Sequence, residues 1–431
     1  TRSESWLEPV WGCSRRWREA MGRRVAVTGL GPVTPIGIGK GAFWDGLRSG
    51  RSGVCRVDDL VDLDGIDVKI GAPVRNFDPL VYVDAKHARR IDRSAQFALA
   101  ASSLALDDAR FADAGYDPDR VAVISGTGIG GMETFEVNFR EMLDRGPRRV
   151  SPFFVTSLMP NALAGEISIQ YGFRGASFGI VSACASGAHA IGLAAHLVSS
   201  GIADAALAGG AEAVLLRITF AGFARIGAVS KRNDEPERAS RPFDLDRDGF
   251  VMGEGAGFVV LEDYDRAVER GARIYAELAG FGMTSDAFHI TSPADDGDGA
   301  RRAIELALRQ ADVSPSDVDY INAHGTSTEP NDRIETVAIK RALGPHAGRV
   351  KISSTKSQIG HLLGAAGGVE AIATLLSMEH GFVPATKNYE VPDPQCDLDY
   401  TPAPTVLPIR VALSNSFGFG GQNAVLAFVK N

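Results

Sequence analysis

The sequence predicts an α/β protein with a duplicated core. Three observations carry this: short apolar strands alternate with helical stretches, the alternation restarts in a second half, and glycine is unusually frequent. The 49 glycines exceed the roughly 7% of average usage, which implies tight turns and close backbone contacts. At 431 residues the chain is long enough for two to three domains or one large duplicated one.

The elements follow in order. Residues 24–31 form a buried strand ending in a glycine turn, and 42–47 a helix. Residues 92–111 carry apolar side chains at helical spacing, 121–124 a short buried strand, and 158–171 a helix. The strand 178–181 runs straight into Cys184. The helix after it, 188–199, is built of small and apolar residues, so it is expected to be buried on most sides. After a charged helical stretch at 264–273 the order restarts: strand 274–281, helix 299–311, strand 318–323, helix 332–343, strand 350–353 and helix 362–378. The closing strands are 410–414 and 424–428. The expected division is an N-terminal extension at 1–22, a first half at 23–272 and a second at 273–431.

Composition narrows the function classes. Hydrophobic residues make up 45% and charged residues 23%, which excludes wholesale disorder. A net charge of −8 gives no reason to expect nucleic acid, so any basic docking surface must be local. Cys13, Cys55, Cys184 and Cys396 are scattered, with no C-x-x-C pair. That argues against a disulfide framework or a zinc site and fits a reducing cytoplasm. The most apolar central stretch, 205–216, is interrupted by Glu212, and no membrane span is expected. The first twenty residues hold Trp6, Trp11 and Trp17 but lack the apolar core of a secretory signal. Glu4, Glu8 and Glu19 speak against a transit peptide.

Two motifs are decoys. Gly126-Thr-Gly128-Ile-Gly130-Gly131 satisfies the dinucleotide-binding pattern, but Pro147 and Pro152 interrupt the strand–helix–strand unit such a site needs. Asp244-Leu-Asp246-Arg-Asp248-Gly249 resembles the start of a calcium loop. Its twelfth position is Gly255 rather than Glu, so aspartates capping a turn are the better reading.

The chemistry concentrates elsewhere. Cys184, in Val181-Ser-Ala-Cys-Ala-Ser-Gly187, sits between a strand and a helix. There the helix dipole favours thiolate and free amides can hold an oxyanion. The alternative is a buried structural cysteine. His324 opens His-Gly-Thr-Ser-Thr328 at a strand end, placed to face a cleft. Lys356-Ser-Gln-Ile-Gly360-His361 sets a lysine and a second histidine five residues apart. Asn415-Ser-Phe-Gly-Phe-Gly-Gly421 is a glycine-rich turn between strands, either a hairpin with aromatic anchors or a source of backbone amides for a substrate.

In this order the motifs resemble the β-ketoacyl-acyl-carrier-protein synthases, especially the elongating type II enzymes. The likeness runs from about Arg23 to Val429 and includes Ser-Pro-Phe-Phe154, Arg241-Pro-Phe-Asp-Leu-Asp-Arg-Asp-Gly-Phe-Val251 and Gly280-Phe-Gly-Met-Thr-Ser-Asp286. It implies a thiolase-like five-layer αβαβα fold with two pseudo-repeated halves, usually dimeric. It also implies decarboxylative Claisen condensation with malonyl carrier protein. Cys184 is the implied nucleophile, and His324 and His361 the pair that drives decarboxylation. Lys356 stands beside them with Glu370 as its salt-bridge partner. The amides of Cys184 and Phe419 form the implied oxyanion hole. Phe419 gates the pocket lined by Ile129, Phe154 and Phe223, while Thr326 and Thr328 contact the phosphopantetheine arm. Lys86, Arg89, Arg90, Arg145, Arg148 and Arg149 fall where the family docks its acidic carrier protein; the plain alternative is a solvated charge run. No metal or resident cofactor is implied, since phosphopantetheine arrives on the carrier.

A degradative thiolase would carry a second cysteine in its C-terminal turn, and here that turn has none. The sequence departs from the fatty-acid pattern at Glu329-Pro330-Asn331-Asp332, at Gln422, and at Gly227, with Arg225 the nearest arginine. These departures leave open a ketosynthase subunit of a type II polyketide system, paired with a chain-length partner. A non-catalytic partner subunit and a nicotinamide oxidoreductase are the rivals from other classes.

Overall fold

The computed structural model describes residues 22–430; the tryptophan-bearing stretch of the expected extension, with Cys13, lies outside the described residues. Five strands longer than two residues build the first half: β1 Val25–Thr34, β2 Val121–Gly126, β3 Ser177–Ile180, β4 Ala205–Glu212 and β5 Gly255–Asp263. Five build the second: β6 Ala276–Ser285, β7 Tyr320–Asn322, β8 Lys351–Ser353, β9 Val411–Gly418 and β10 Gln422–Val429. The first half has spatial order β3-β2-β4-β5-β1, and the second β8-β7-β9-β10-β6. Numbered within its half, each order is 3-2-4-5-1.

The strand directions repeat as well. In each half the second strand pairs in parallel with the third and fourth, and the fifth is antiparallel to the fourth and first. The two five-stranded sheets meet at two ladder pairs, Ala26 with Glu277 and Val27 with Ala276. The expected duplication is therefore carried by topology.

Helices fill three layers. α1 Arg93–Asp108 and α3 Ala162–Tyr171 cover the outer face of the first sheet, α6 Asp298–Ala311 and α7 Glu329–Leu343 that of the second. Between the sheets lie α4 Ser186–Ser199 and α8 Ala366–His380. This is the five-layer arrangement of the thiolase-like fold. Both faces of the central strands are buried, and alternation sorts their side chains. Ala206 and Ala208 of β4 join the middle core with Ile191 and Val369, whereas Ala205 and Leu207 join the outer core with Phe97.

The glycine excess has its place here. A Cβ on Gly257 of β5 would lie 2.4 Å from the Val369 amide of α8, one on Gly368 of α8 2.3 Å from the Gly257 carbonyl, and one on Gly126 of β2 2.4 Å from the Ser186 carbonyl carbon of α4. The middle helices approach the strands backbone to backbone, which larger residues would prevent.

Several elements differ from expectation. The helix expected at 158–171 is two pieces, Phe154–Leu158 and α3, because Met159, which precedes Pro160, is extended. The helix expected from 362 starts at Ala366, after a 3₁₀ turn Leu363–Ala365 whose Leu363 has φ 47°. β4, β5, the helix α2 Met132–Arg145 and the helix α5 Arg217–Ile226 lie outside the elements expected from the sequence. No helix among the described residues is long and apolar enough to cross a membrane.

Candidate active site

The nucleophile turn is wound tightly by its own hydroxyls. After β3, the Ser182 amide donates to Ser186 Oγ at 2.9 Å, and that hydroxyl donates to the Ala183 carbonyl at 2.7 Å. Ala183 is held at φ 49°, an uncommon region for a residue with a Cβ. The turn delivers Cys184 to the start of α4, where its amide has no intrahelical acceptor. The second half repeats this device: Leu363, at φ 47°, precedes Gly364 at the start of α8.

Opposite stands the C-terminal hairpin. β9 and β10 are joined by Phe419-Gly420-Gly421, with φ 84° and 70° at the two glycines, values that favour glycine. The Phe419 amide donates to the Cys184 sulfur. A Cβ on Gly418 would lie 2.7 Å from the Ser182 carbonyl, so the hairpin reaches the nucleophile only because residue 418 is glycine. The turn is thus a hairpin whose Phe419 amide faces the Cys184 sulfur. Burial pushes the Cys184 thiol up to about 11, against the pull of the Lys356 charge and the Phe419 amide. Desolvation thus outweighs the helix terminus, and the resting group is a thiol rather than the thiolate expected from the dipole.

His324 follows β7. Its amide and that of Gly325 donate to Glu335 at 2.9 and 2.8 Å, and Asn415 holds the same carboxylate. Lys356, almost wholly buried, donates to the His324 carbonyl at 2.6 Å and lies 3.4 Å from His324 Nδ1. It also contacts Glu370 directly. His361 is fixed by Val251 through its backbone, and its Nδ1 accepts from the Leu363 amide at 3.3 Å. The two imidazole centroids are 5.4 Å apart at an interplanar angle of 84°. With both Nδ1 atoms facing donors, the network assigns the proton of each ring to Nε2. Burial, then the Lys356 charge, holds both histidines well below the ordinary value of 6.5, so both are neutral donors.

A cavity of about 580 Å³ brings these groups together. Cys184, His324, His361 and Phe419 line it, with Ile129 and Phe223 on the apolar side and Thr326 and Thr328 among the polar lining. The two threonine hydroxyls are 2.9 Å apart. Lys356 and Glu370 stand behind the histidines rather than in the cavity. Phe154 is not part of this wall. It opens the short helix Phe154–Leu158, set apart by the break before Pro160, on a face where Phe153, Val155 and Met159 are exposed. Lys86, Arg89, Arg90, Arg145, Arg148 and Arg149 are all exposed. Arg90 lies over the Phe153 ring at 4.8 Å, and Arg145 pairs with Glu141.

The decoys resolve physically. The amides of Gly128 and Ile129 and the Thr127 hydroxyl, which a pyrophosphate would need, already hold the carboxylate of Glu212. Asp244 takes the Arg241 guanidinium and the amides of Asp246, Glu390 and Val391, leaving a structural turn; no metal-holding acidic or His/Cys group occurs among the described residues. Glu212 is the residue that sequence reasoning passed over. Its signal was there: one charge inside an otherwise apolar stretch implies a buried, hydrogen-bonded role.

Comparison with known proteins gives the same family. Residues 22–267 match the model of the beta-ketoacyl synthase N-terminal domain, and 275–390 that of its C-terminal domain. The 3-oxoacyl-[acyl-carrier-protein] synthase 2 of Synechocystis sp. is 49% identical over 409 residues, 95% of this chain and 98% of the relative. That of Vibrio harveyi is 45% identical over 410 residues, again 95% of this chain and 99% of its own length. Among solved structures, the ishigamide ketosynthase/chain length factor superposes with TM-score 0.89 at 35% identity, covering 95% of this chain and all of that one. A beta-ketoacyl synthase from Burkholderia phymatum gives 0.88 at 37%, with the same coverage. The chain belongs to the beta-ketoacyl synthase family.

Proposed function

We propose that this protein is an elongating 3-oxoacyl-[acyl-carrier-protein] synthase, which condenses an acyl-enzyme with malonyl carrier protein. The observation that carries the reading is one cavity wall holding Cys184 between two backbone amides and two Nε2–H imidazole donors. In the first half-reaction the thioester carbonyl takes the amides of Cys184 and Phe419, the sulfur attacks, and the carrier thiol leaves with the proton. In the second, the malonyl thioester carbonyl accepts from His324 and His361. Carbon dioxide departs, the enolate carbon attacks the acyl-cysteine, and the Cys184 thiolate is released and reprotonated. Lys356, braced by Glu370, keeps His324 in the donating tautomer.

Thr326 and Thr328 contact the phosphopantetheine arm, which arrives on the carrier, so the protein needs no cofactor of its own. The exposed arginines and Lys86 receive the acidic carrier, and the protein works in the cytoplasm. It is a homodimer through the exposed β3 edge and the apolar side chains near it, including Val155, Phe178 and Val181. Identity of 49% to a 3-oxoacyl-[acyl-carrier-protein] synthase 2, against 35% to the ishigamide ketosynthase/chain length factor, supports fatty acid work over polyketide work. The test is purified protein alone with acyl and malonyl carrier proteins. One carbon dioxide should be released per 3-oxoacyl product longer by two carbons. Product only after a second, cysteine-free subunit is added would overturn the fatty acid reading in favour of the polyketide one.

A further inference from the structure

Glu212 closes β4 at the centre of the molecule, fully buried, and no step above uses it. Four donors converge on its two oxygens. The Thr127 hydroxyl (3.0 Å) and Ile129 amide (3.3 Å) meet Oε1; the amides of Gly128 (2.6 Å) and Gly364 (2.9 Å) meet Oε2. Three belong to the first-half loop that carries Ile129 into the cavity. The fourth belongs to the second-half turn whose preceding amide, Leu363, donates to His361 Nδ1.

The loops are pressed together around the carboxylate. A Cβ on Gly364 would lie 2.1 Å from the Gly128 nitrogen, and one on Gly128 2.9 Å from Glu212 Oε2. Nothing but an acceptor at both positions satisfies four converging donors in so little space. Burial pushes this carboxyl up to about 7 while the four donors hold it down, as a group of this kind requires.

We propose that Glu212 is a positioning residue that fixes the acyl-pocket wall at Ile129 against the turn orienting His361. One carboxylate then governs both how long an acyl chain is accepted and how well His361 is aimed. The second consequence rests on the condensing activity proposed above; the first does not.

The test uses Glu212→Gln, whose amide NH₂ would face amide donors, and Thr127→Val, which at constant shape removes one donor to Glu212 together with the acceptor of the Gly130 amide. Thermal melting and circular dichroism establish that each variant is folded. Cys184 is alkylated with iodoacetamide and with N-alkyl iodoacetamides of increasing chain length, and adducts are counted by mass spectrometry. The long-to-short rate ratio should change about ten-fold in Glu212→Gln and by less in Thr127→Val, with the iodoacetamide rate itself within about two-fold of wild type. Glu212→Asp, which keeps both oxygens, should recover part of the wild-type ratio. Malonyl carrier decarboxylation should fall about ten-fold in Glu212→Gln. An unchanged ratio in the folded variants, or a uniform fall across all probes, overturns the proposal; if Glu212→Gln does not fold, Thr127→Val decides. A wild type that fails to condense while the ratio shifts would overturn the proposed function and leave this role standing.

Discussion

Replacing Lys356 with Met removes a buried ammonium at nearly constant volume and separates two effects. His324 loses the cation that faces its Nδ1 at 3.4 Å and holds its carbonyl at 2.6 Å, so the donating tautomer is no longer enforced. Loss of one preorganised donor of this kind costs about 10²–10³ in rate, and that should appear in malonyl decarboxylation. Acyl transfer to Cys184 relies on the amides of residues 184 and 419 and should stay within about ten-fold of wild type. The second effect is on stability. Glu370 is raised from an ordinary 4.5 to about 7 by burial, with Lys356 pulling it down. The folded state therefore binds more protons than the unfolded one, and this group's stabilising contribution falls as pH rises from 4.5 to about 7, then levels. Without Lys356 the carboxyl stays protonated to higher pH, and the fall should continue above 7 at up to about 1.4 kcal/mol per pH unit. Carbon dioxide release, mass spectrometry of acyl-Cys184 and urea melts from pH 6 to 9 measure the three quantities. Wild-type decarboxylation, a parallel loss of acylation, or a constant wild-type-to-variant stability difference across that range would refute the reasoning.

Other outcomes follow from the same geometry. Because burial lifts the Cys184 thiol to about 11, its alkylation by iodoacetamide should rise about ten-fold per pH unit from 7 to 10; a plateau near 7 would contradict this. Gly418→Ala places a methyl 2.7 Å from the Ser182 carbonyl and 3.3 Å from the Cys184 amide, and acyl transfer should fall about a hundred-fold in a folded variant. Near-normal transfer would show that the hairpin yields without loss. A nicotinamide dinucleotide should leave the intrinsic fluorescence unchanged, since Glu212 already occupies the loop amides; saturable quenching would refute that account.

The legibility of the sequence divides along physical lines. Strands such as β1 and β2, each opening on Val-Ala-Val and running into a glycine turn, announce themselves by composition, and Cys184, His324, Lys356 and His361 stand out by their motifs. β4, with the sequence Ala-Ala-Leu-Ala-Gly-Gly-Ala-Glu, does not, because its residues are chosen for close approach to α4 and α8 rather than for strand propensity. The duplication is likewise invisible residue by residue and plain in the strand order. Phe154 opens a short helix set apart from α3 by a proline break and lies outside this chain's cavity wall, a placement its motif does not announce. The state of Cys184 could not be read from its helix position either. The dipole is local and legible, whereas the desolvation that outweighs it comes from the whole surrounding core.

The central claim is that Cys184 carries the acyl chain. The direct measurement is mass spectrometry of the protein after incubation with acyl carrier proteins of several chain lengths, wild type beside Cys184→Ala. The account predicts an acyl adduct on the peptide containing Cys184, with a length preference, and none in the variant. No adduct on wild type, or an equal adduct on the variant, would contradict it.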